Sequence, residues 1–133
     1  AAAAGAYQLP QEGTAENDAS ITYRLLDEQS GQLAHLLRQK GVQPGTIVGL
    51  LVESSLEMAV GFLGILKAGG AYLPVDTGYP PGRICLVLEE SNVDLLITTR
   101  YLYEEDIKLG SWKGELIFLE EEEKYILMVD LHN

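Results

Sequence analysis

Apolar residues recur along most of this chain with two alternating periods, which predict helices and strands in turn. Over residues 23–40 the apolar positions fall three and four residues apart, as on one face of an amphipathic helix. Thr22 can cap the start of this helix, and Gly41 suits the left-handed conformation that ends it. We therefore predict a helix over residues 23–40, after an irregular arm or tag remnant over residues 1–20.

Short aliphatic runs and helix signals alternate further along. Residues 46–52 are almost continuously aliphatic, as expected of a strand covered on both faces. Ser54 and Glu57 have the spacing of a capping box, which predicts a helix that ends before Gly69. The other predicted elements are strands over 71–75, 94–98, 115–119 and 125–131, and helices from Pro80-Pro81 to residue 90 and over 99–108.

Strands that alternate with helices at this spacing indicate an α/β fold. Parallel strands need crossover connections, and helices in those crossovers cover both faces of the sheet. We therefore predict a parallel-sheet, three-layer α/β fold. At 133 residues the chain fits one domain that can bury roughly two-thirds of its unfolded surface.

Charge and composition exclude several kinds of partner. The formal net charge is −11 and the nine Lys and Arg residues are scattered, which argues against nucleic acid and against anionic membranes. The longest apolar run, residues 58–66, is far shorter than the ~20 residues of a membrane span, and the leading AAAAGA lacks the basic residues of a signal peptide. Cys85 stands alone among aliphatic neighbours, so we expect a buried thiol and a cytoplasmic protein.

One motif is more specific than the periodicity. The segment LKAGGAYLPVD at residues 66–76, followed by TGYPPGRI, resembles a signature of the adenylation domains of nonribosomal peptide synthetases, which belong to the AMP-binding, acyl-adenylate-forming enzymes. The residues that match this signature are Leu66, Lys67, Ala68, Gly69, Ala71, Tyr72, Pro74, Val75, Asp76, Tyr79, Pro80, Arg83 and Ile84. The resemblance implies that the sheet is part of the large N-terminal subdomain of such an enzyme.

A second signature lies upstream. ITYRLL at residues 21–26 resembles the pattern Leu-Thr/Ser-Tyr-x-Glu-Leu, with Thr22, Tyr23 and Leu26 at matching positions. Leu25 stands where the family has Glu, Thr77 where it has Pro, and Gly82 where it has Glu. Because a Glu at position 25 would complete a capping box with Thr22, we expect its loss to weaken the helix start by roughly 0.5 to 1 kcal/mol.

The conspicuous polar residues have structural explanations that we favour over ligand binding. Lys67 falls in the last turn of a predicted helix, where a cation is stabilised by the helix dipole. Asp76 follows a strand, where a carboxylate serves either a ligand or the local loop, and we favour the loop. We expect Tyr72 and Tyr79 to pack with hydrogen-bonded hydroxyls, and His35 to be structural or exposed.

Two interpretations remain open for residues 120–133. The four glutamates Glu120 to Glu123 lack the ligand spacing of a calcium loop, so we expect a solvated acidic edge. LEEEEKYILMVDLHN resembles the strand that enters the His-His-x-x-x-Asp-Gly motif of condensation domains, with His132 at the first His and Asn133 in place of the second. The alternative is a terminal strand and acidic tail of the adenylation part.

The adenylation resemblance implies an activity and the parts that activity needs. The family activates an amino acid with ATP and Mg as aminoacyl-AMP, then loads it onto a phosphopantetheine carrier. Its Ser/Thr/Gly-rich loop, ribose-binding Asp and catalytic Lys have no counterpart in this sequence. We therefore predict a partial adenylation domain over residues 21–119 that has no catalytic, cofactor-binding or metal-binding residue, is inactive alone and has the rest of the synthetase as its partner.

Two alternatives to an inactive partial domain stay open. One is a free-standing α/β binding or interaction module, and the other is one piece of an adenylating enzyme split over two chains.

Overall fold

The computed structural model describes residues 15–106, 112–122 and 125–130, and the side chains of residues 23–103 and 112–120. Four helices and five strands make up these residues. In chain order they are α1 (Ala15–Gln39), β1 (Ile47–Leu50), α2 (Ser55–Ala68), β2 (Ala71–Pro74), α3 (Pro81–Glu90), β3 (Leu95–Thr98), α4 (Arg100–Asp106), β4 (Glu115–Glu122) and β5 (Tyr125–Asp130).

Helix α1 begins earlier than the sequence pattern predicts. It starts at Ala15, so residues 15–20 are helical and the prediction of an irregular arm is wrong for them. Thr22 therefore lies inside the helix, where it cannot act as the N-cap. The expected loss of stability from Leu25 in place of Glu does not apply, because no capping box can form at Thr22. The prediction failed because residues 15–22 lack a long apolar period, although Ala and Glu among them favour helix. Residues 1–14 of the predicted arm lie outside the described residues.

Helix α2 has the predicted start and stop. Ser54 is the N-cap, and its hydroxyl and the Glu57 carboxylate form a complete capping box. Gly69 ends the helix with φ 90° and ψ 4°, a left-handed conformation that glycine adopts without steric cost. The helix packs closely on α1 at Gly64, because a Cβ built there would lie 2.6 Å from Leu33 Cδ2. Small residues therefore set how near the two helices come.

The sheet has the order β2-β1-β3-β4-β5. The first four of these strands are parallel neighbours, which confirms the predicted parallel sheet. β5 differs, since it pairs antiparallel with β4 from Ile117↔Asp130 to Glu122↔Tyr125. Two residues connect β4 to β5, and a parallel connection needs a crossover of a dozen or more, so only a hairpin is possible.

A hydrophobic core fills each side of the sheet. On one side α1 and α2 bury Leu33, Leu37 and Ile65 against strand residues such as Val48 and Ile97. On the other side α3 and α4 bury their own apolar residues, which include Ile84, Leu88 and Leu102, against Leu96. The predicted three-layer arrangement is thus confirmed.

Several smaller expectations can also be compared with the structure. Cys85 is buried and His35 is exposed, as predicted. The predicted helix over 99–108 is observed as Arg100–Asp106, and residues 107–111 lie outside the described part of the chain. The predicted strand over 115–119 continues to Glu122, so the first three glutamates of the acidic run belong to β4.

Candidate functional site

Among the residues that the structure describes, a pocket of about 390 Å³ at the carboxyl end of the sheet is the candidate site. It opens where β1, β3 and β4 end. The chain passes from β1 to β2 on one side of β1 and later to β3 on its other side. The carboxyl ends of β1 and β3 therefore form a topological switch point. Ligands of open α/β sheets bind in such crevices. Its lining residues are Glu53, Ser54, Glu57, Thr99, Arg100, Tyr101, Leu119 and Glu120.

Two of the lining residues form the capped start of α2. The Glu57 amide donates to Ser54 Oγ at 3.1 Å, and the Ser54 amide donates to Glu57 Oε1 at 3.3 Å. Glu57 is only 8% exposed. Both side chains therefore stabilise the start of α2. They lie at the carboxyl end of the sheet because only four residues separate the end of β1 from the start of α2.

A second pair joins α4 to β4 across the pocket. Arg100 Nε donates to Glu120 Oε2 at 2.8 Å, and the guanidinium lies 5.1 Å from the Phe118 ring centroid. Glu120 was expected to be part of a solvated acidic edge, which is wrong for this residue because its side chain is only 29% exposed and ion-paired. Thr99 Oγ1 accepts a hydrogen bond from the Leu102 amide at 3.2 Å and stabilises the start of α4.

The charges of the pocket disfavour phosphate. Three carboxylates and one guanidinium line it, which leaves a formal charge of −2. A triphosphate needs an excess of positive charge or hydrogen-bond donors where its own charge lies. The described part of the pocket therefore lacks the features of a nucleotide site. Among the described residues, no group of three or more His, Cys, Asp or Glu side chains is placed to hold a metal ion.

The signature residues at the end of α2 join two helices. Lys67 Nζ donates to Asp27 Oδ1 at 2.8 Å and to Asp27 O at 3.0 Å, while Arg38 donates back to the Lys67 carbonyl. Both partners of Lys67 are on α1. Gly69 supplies the left-handed stop described above, Ala68 is buried, and Leu66 is 48% exposed. This part of the signature thus fixes α2 on α1 and ends it.

The next signature residues build the edge strand β2. The Tyr72 ring packs edge-on to Phe62 with a centroid distance of 5.0 Å, and its hydroxyl lies 3.5 Å from Met58 Sδ. The Ala71 amide donates to the Thr46 carbonyl just before β1 at 2.7 Å, and the Val75 amide donates to the Leu50 carbonyl of β1 at 3.0 Å. Since alternate residues of a strand face the same side, Tyr72 and Pro74 direct their backbone away from β1.

The last signature residues make the loop that leads into α3. Asp76 Oδ1 accepts a hydrogen bond from the Gly78 amide at 2.8 Å, which is the loop-fixing contact we expected. Pro80 is the N-cap residue of α3, and the Arg83 guanidinium lies 4.6 Å from the Tyr79 ring centroid. Of the upstream signature, Leu26 is buried and Tyr23 is 43% exposed. The side chain of Thr22 is outside the described part.

The signature residues and the pocket are separate. None of the signature side chains that the structure describes lines the pocket at the carboxyl end of the sheet. No local sequence pattern pointed to the pocket residues, because Arg100 and Glu120 come together only in the folded chain. The signal that could have found them is positional: Glu53, Thr99 and Glu120 each follow or end an apolar strand run.

Two further expectations from the sequence concern a membrane span and the condensation-domain resemblance. Within residues 15–106, 112–122 and 125–130, no helix is long and apolar enough to cross a bilayer. Residues His132 and Asn133, which carry the condensation-domain resemblance, lie outside the described residues. That resemblance stays a prediction.

A comparison with protein families decides the lineage. The sequence model described as "AMP-binding enzyme" matches residues 4–128, which is nearly the whole chain. The chain belongs to the AMP-binding enzyme family. The match includes most of the predicted arm and acidic tail, and the division into residues 1–20, 21–119 and 120–133 stays a prediction.

Curated relatives of this AMP-binding chain are peptide synthetases. It is 47% identical over 108 residues to gramicidin S synthase 2 of Brevibacillus brevis, and 54% identical over 80 residues to bacitracin synthase 2 of Bacillus licheniformis. These alignments cover 81% and 60% of the chain but only 2% and 3% of the relatives. The chain thus spans a very small part of their length, and it is a partial adenylation domain of the peptide-synthetase type, as predicted.

A solved structure shows the same fold. The nonribosomal peptide synthetase FmoA3 matches with a TM-score of 0.65 and 34% identity, over 71% of this chain and 10% of FmoA3. FmoA3 has also been crystallised in forms bound to AMPPNP and to α-methyl-L-serine-AMP. The sheet and helices described above therefore belong to an adenylation-domain architecture.

Proposed function

We propose that this chain is a scaffold part of the large subdomain of an amino-acid-adenylating domain, and that it has no adenylating activity alone. The observation that carries the proposal is the position of the signature residues. Their described side chains end a helix, build an edge strand and fix a loop. A segment with these roles supports a catalytic site built elsewhere in the domain.

The complete domain would join an amino-acid carboxylate to the α-phosphate of ATP and pass the acyl group to a phosphopantetheine carrier. Developing phosphate charge must be met by placed donors and by a metal ion such as Mg²⁺. The pocket of this chain has the opposite charge balance, with three carboxylates and one guanidinium. ATP, Mg²⁺ and carrier therefore engage the remainder of the synthetase, which we place in the cytoplasm.

Amino-acid-dependent ATP–pyrophosphate exchange tests this proposal directly. The purified chain is assayed with each common amino acid, and the expected result is exchange no faster than in a reaction without protein. The chain is then mixed with the gramicidin S synthase 2 adenylation domain from which the 108 aligned residues have been removed, here called the truncated domain. We expect the two together to exchange, because the chain restores the missing part of the subdomain.

The positive control is the truncated domain mixed with its own excised segment. Exchange by this chain alone would overturn the proposal. If the control pair is active while this chain melts cooperatively as a monomer and leaves the truncated domain inactive, the chain is instead a free-standing interaction module. Exchange only with a second natural chain from the same source would identify a split enzyme.

A further inference from the structure

The two edges of the sheet offer different hydrogen-bonding groups. At the β2 edge, Ala71, Leu73 and Val75 face β1, so Tyr72 and Pro74 face outward. Proline has no N–H group, so Tyr72 is the one residue of β2 that can donate outward. Prolines are confined to edge strands for this reason and prevent further pairing there.

The β5 edge, by the same criterion, carries backbone groups that no described strand pairs with. The Glu115 amide donates to Asp94 O at 2.9 Å, so the odd-numbered residues of β4 face β3 and the even-numbered ones face β5. The register then assigns the pairs Phe118↔Val129, Glu120↔Leu127 and Glu122↔Tyr125 to hydrogen bonds between the two strands. The groups that point outward from β5 belong to Ile126, Met128 and Asp130.

These outward groups form a complete pairing edge. Each of Ile126, Met128 and Asp130 has both an N–H and a C=O group, and no proline interrupts the six residues of β5. Among the described strands none pairs with this side of β5, which ends the order of the sheet. An extended segment can therefore add to β5 by backbone hydrogen bonds, as in β-strand augmentation.

The length of related proteins indicates what occupies this edge. The solved N-terminal subdomain of Klebsiella oxytoca NpsA matches this chain with a TM-score of 0.59 and 27% identity. The matched part is 72% of this chain but only 24% of the NpsA subdomain. About three-quarters of such a subdomain therefore lies outside the matched part. A second copy of this chain is a poorer occupant, because each copy has a formal charge of −11.

We propose that the outer edge of β5 is a docking edge for an extended strand from the rest of the adenylation subdomain, whereas the β2 edge remains the end of the sheet. This inference rests on the proposed function, since its partner is the remainder of that domain. It adds the place and the mode of assembly, which the proposed function leaves open.

A pair of proline substitutions separates the two sides of β5. Met128→Pro removes an outward N–H and leaves the pairing with β4 intact, so the melting temperature should stay close to that of the wild type. We expect this variant to bind the truncated domain at least tenfold more weakly. Leu127→Pro removes an N–H that faces β4, so it should lower the melting temperature and thereby confirm the assigned register.

Hydrogen exchange of the wild-type chain gives a second, independent measurement. On addition of the truncated domain, the amides of Ile126, Met128 and Asp130 should gain at least 100-fold protection. The amide of Tyr72 should exchange at an unchanged rate. Because this measurement uses the wild-type chain, it tests docking at the β5 edge even if Met128→Pro destabilises the β4-β5 hairpin.

Four results would overturn the inference, and the last of them also concerns the proposed function. The first is that the chain restores pyrophosphate exchange, but the β5 amides gain no protection and Met128→Pro binds as tightly as the wild type. This result would leave the proposed function intact. The second is protection at Tyr72 instead of at β5. The third is a concentration-dependent dimer of this chain that protects the β5 edge, which would make a second copy the occupant. Failure of the truncated domain to bind at all, with its excised segment active, would refute the proposed function as well.

Discussion

The contact between Gly64 and Leu33 allows a quantitative test of the packing of α1 on α2. A Cβ at position 64 would lie 2.6 Å from Leu33 Cδ2, 2.8 Å from Cγ and 3.0 Å from Cβ. Non-bonded carbon atoms prefer about 3.5 to 4.0 Å. A new side-chain rotation cannot move Leu33 Cβ, and Leu33 is fully buried, so the Gly64→Ala substitution must push the helices apart.

The expected free energy combines two opposing effects. Overpacking of a filled core costs roughly 1–3 kcal/mol, whereas replacing glycine by alanine inside a helix stabilises by roughly 1 kcal/mol. We expect Gly64→Ala to lower the free energy of unfolding by about 1 kcal/mol. Gly31→Ala is the matched control, because Gly31 also lies inside a helix but a Cβ there meets nothing within 4 Å. It should raise the stability by up to ~1 kcal/mol.

Urea unfolding followed by far-ultraviolet circular dichroism measures these differences, with the slope m checked for constancy. Repeating Gly64→Ala in a Leu33→Ala background removes the clashing Cγ and Cδ2 atoms. Because the Cβ of residue 33 stays 3.0 Å away, the relief is partial: the double-mutant cycle should show a coupling of about 1 kcal/mol, and alanine at position 64 should destabilise less than in the wild type. A Gly64→Ala variant more stable than the wild type, or an absence of coupling, would refute the argument from close packing.

Three further substitutions test the other local contacts by the same unfolding assay. Ser54→Ala should lose about 1 kcal/mol by removing the N-cap of α2, and an unchanged stability would contradict the capping box. Gly69→Ala should lose roughly 1–2 kcal/mol because alanine is strained at φ 90°, and equal stability would mean that the loop adopts another conformation. Lys67→Met should change stability by less than ~1 kcal/mol, since its ion pair with Asp27 is on the surface, and a larger loss would show a role beyond this pair.

Local chemistry explains why the helices and strands could be predicted. The Ser54 and Glu57 pair, the glycine stop at position 69 and the aliphatic run before Glu53 act within a few residues, and each appears in the structure as expected. The start of α1 was missed because residues 15–22 give helix propensity without an apolar face. The prediction that Thr22 caps α1 failed for the same reason.

The pocket and the sheet edges depend on contacts between distant residues. Arg100 reaches Glu120 only after β3 and β4 pair, so no local pattern marks them as neighbours. The antiparallel direction of β5 follows from the two-residue connection between β4 and β5. The length of this connection depends on where each strand ends, and the structure supplied those bounds. The outward position of Pro74 required the register of β2 on β1.

The strand order also has a consequence during synthesis. β1 lies inside the sheet between β2 and β3, yet β3 begins 45 residues after β1 ends, at Leu95 against Leu50. At roughly 5–20 residues per second, a ribosome takes about 2–9 s to make that stretch. Until β2 is complete at Pro74, β1 of a nascent chain has neither neighbour, and from then until β3 is made it is paired on one side only, so its other side is open to wrong partners. A chaperone that binds short aliphatic strands would find its best target there, between completion of β2 and the emergence of β3.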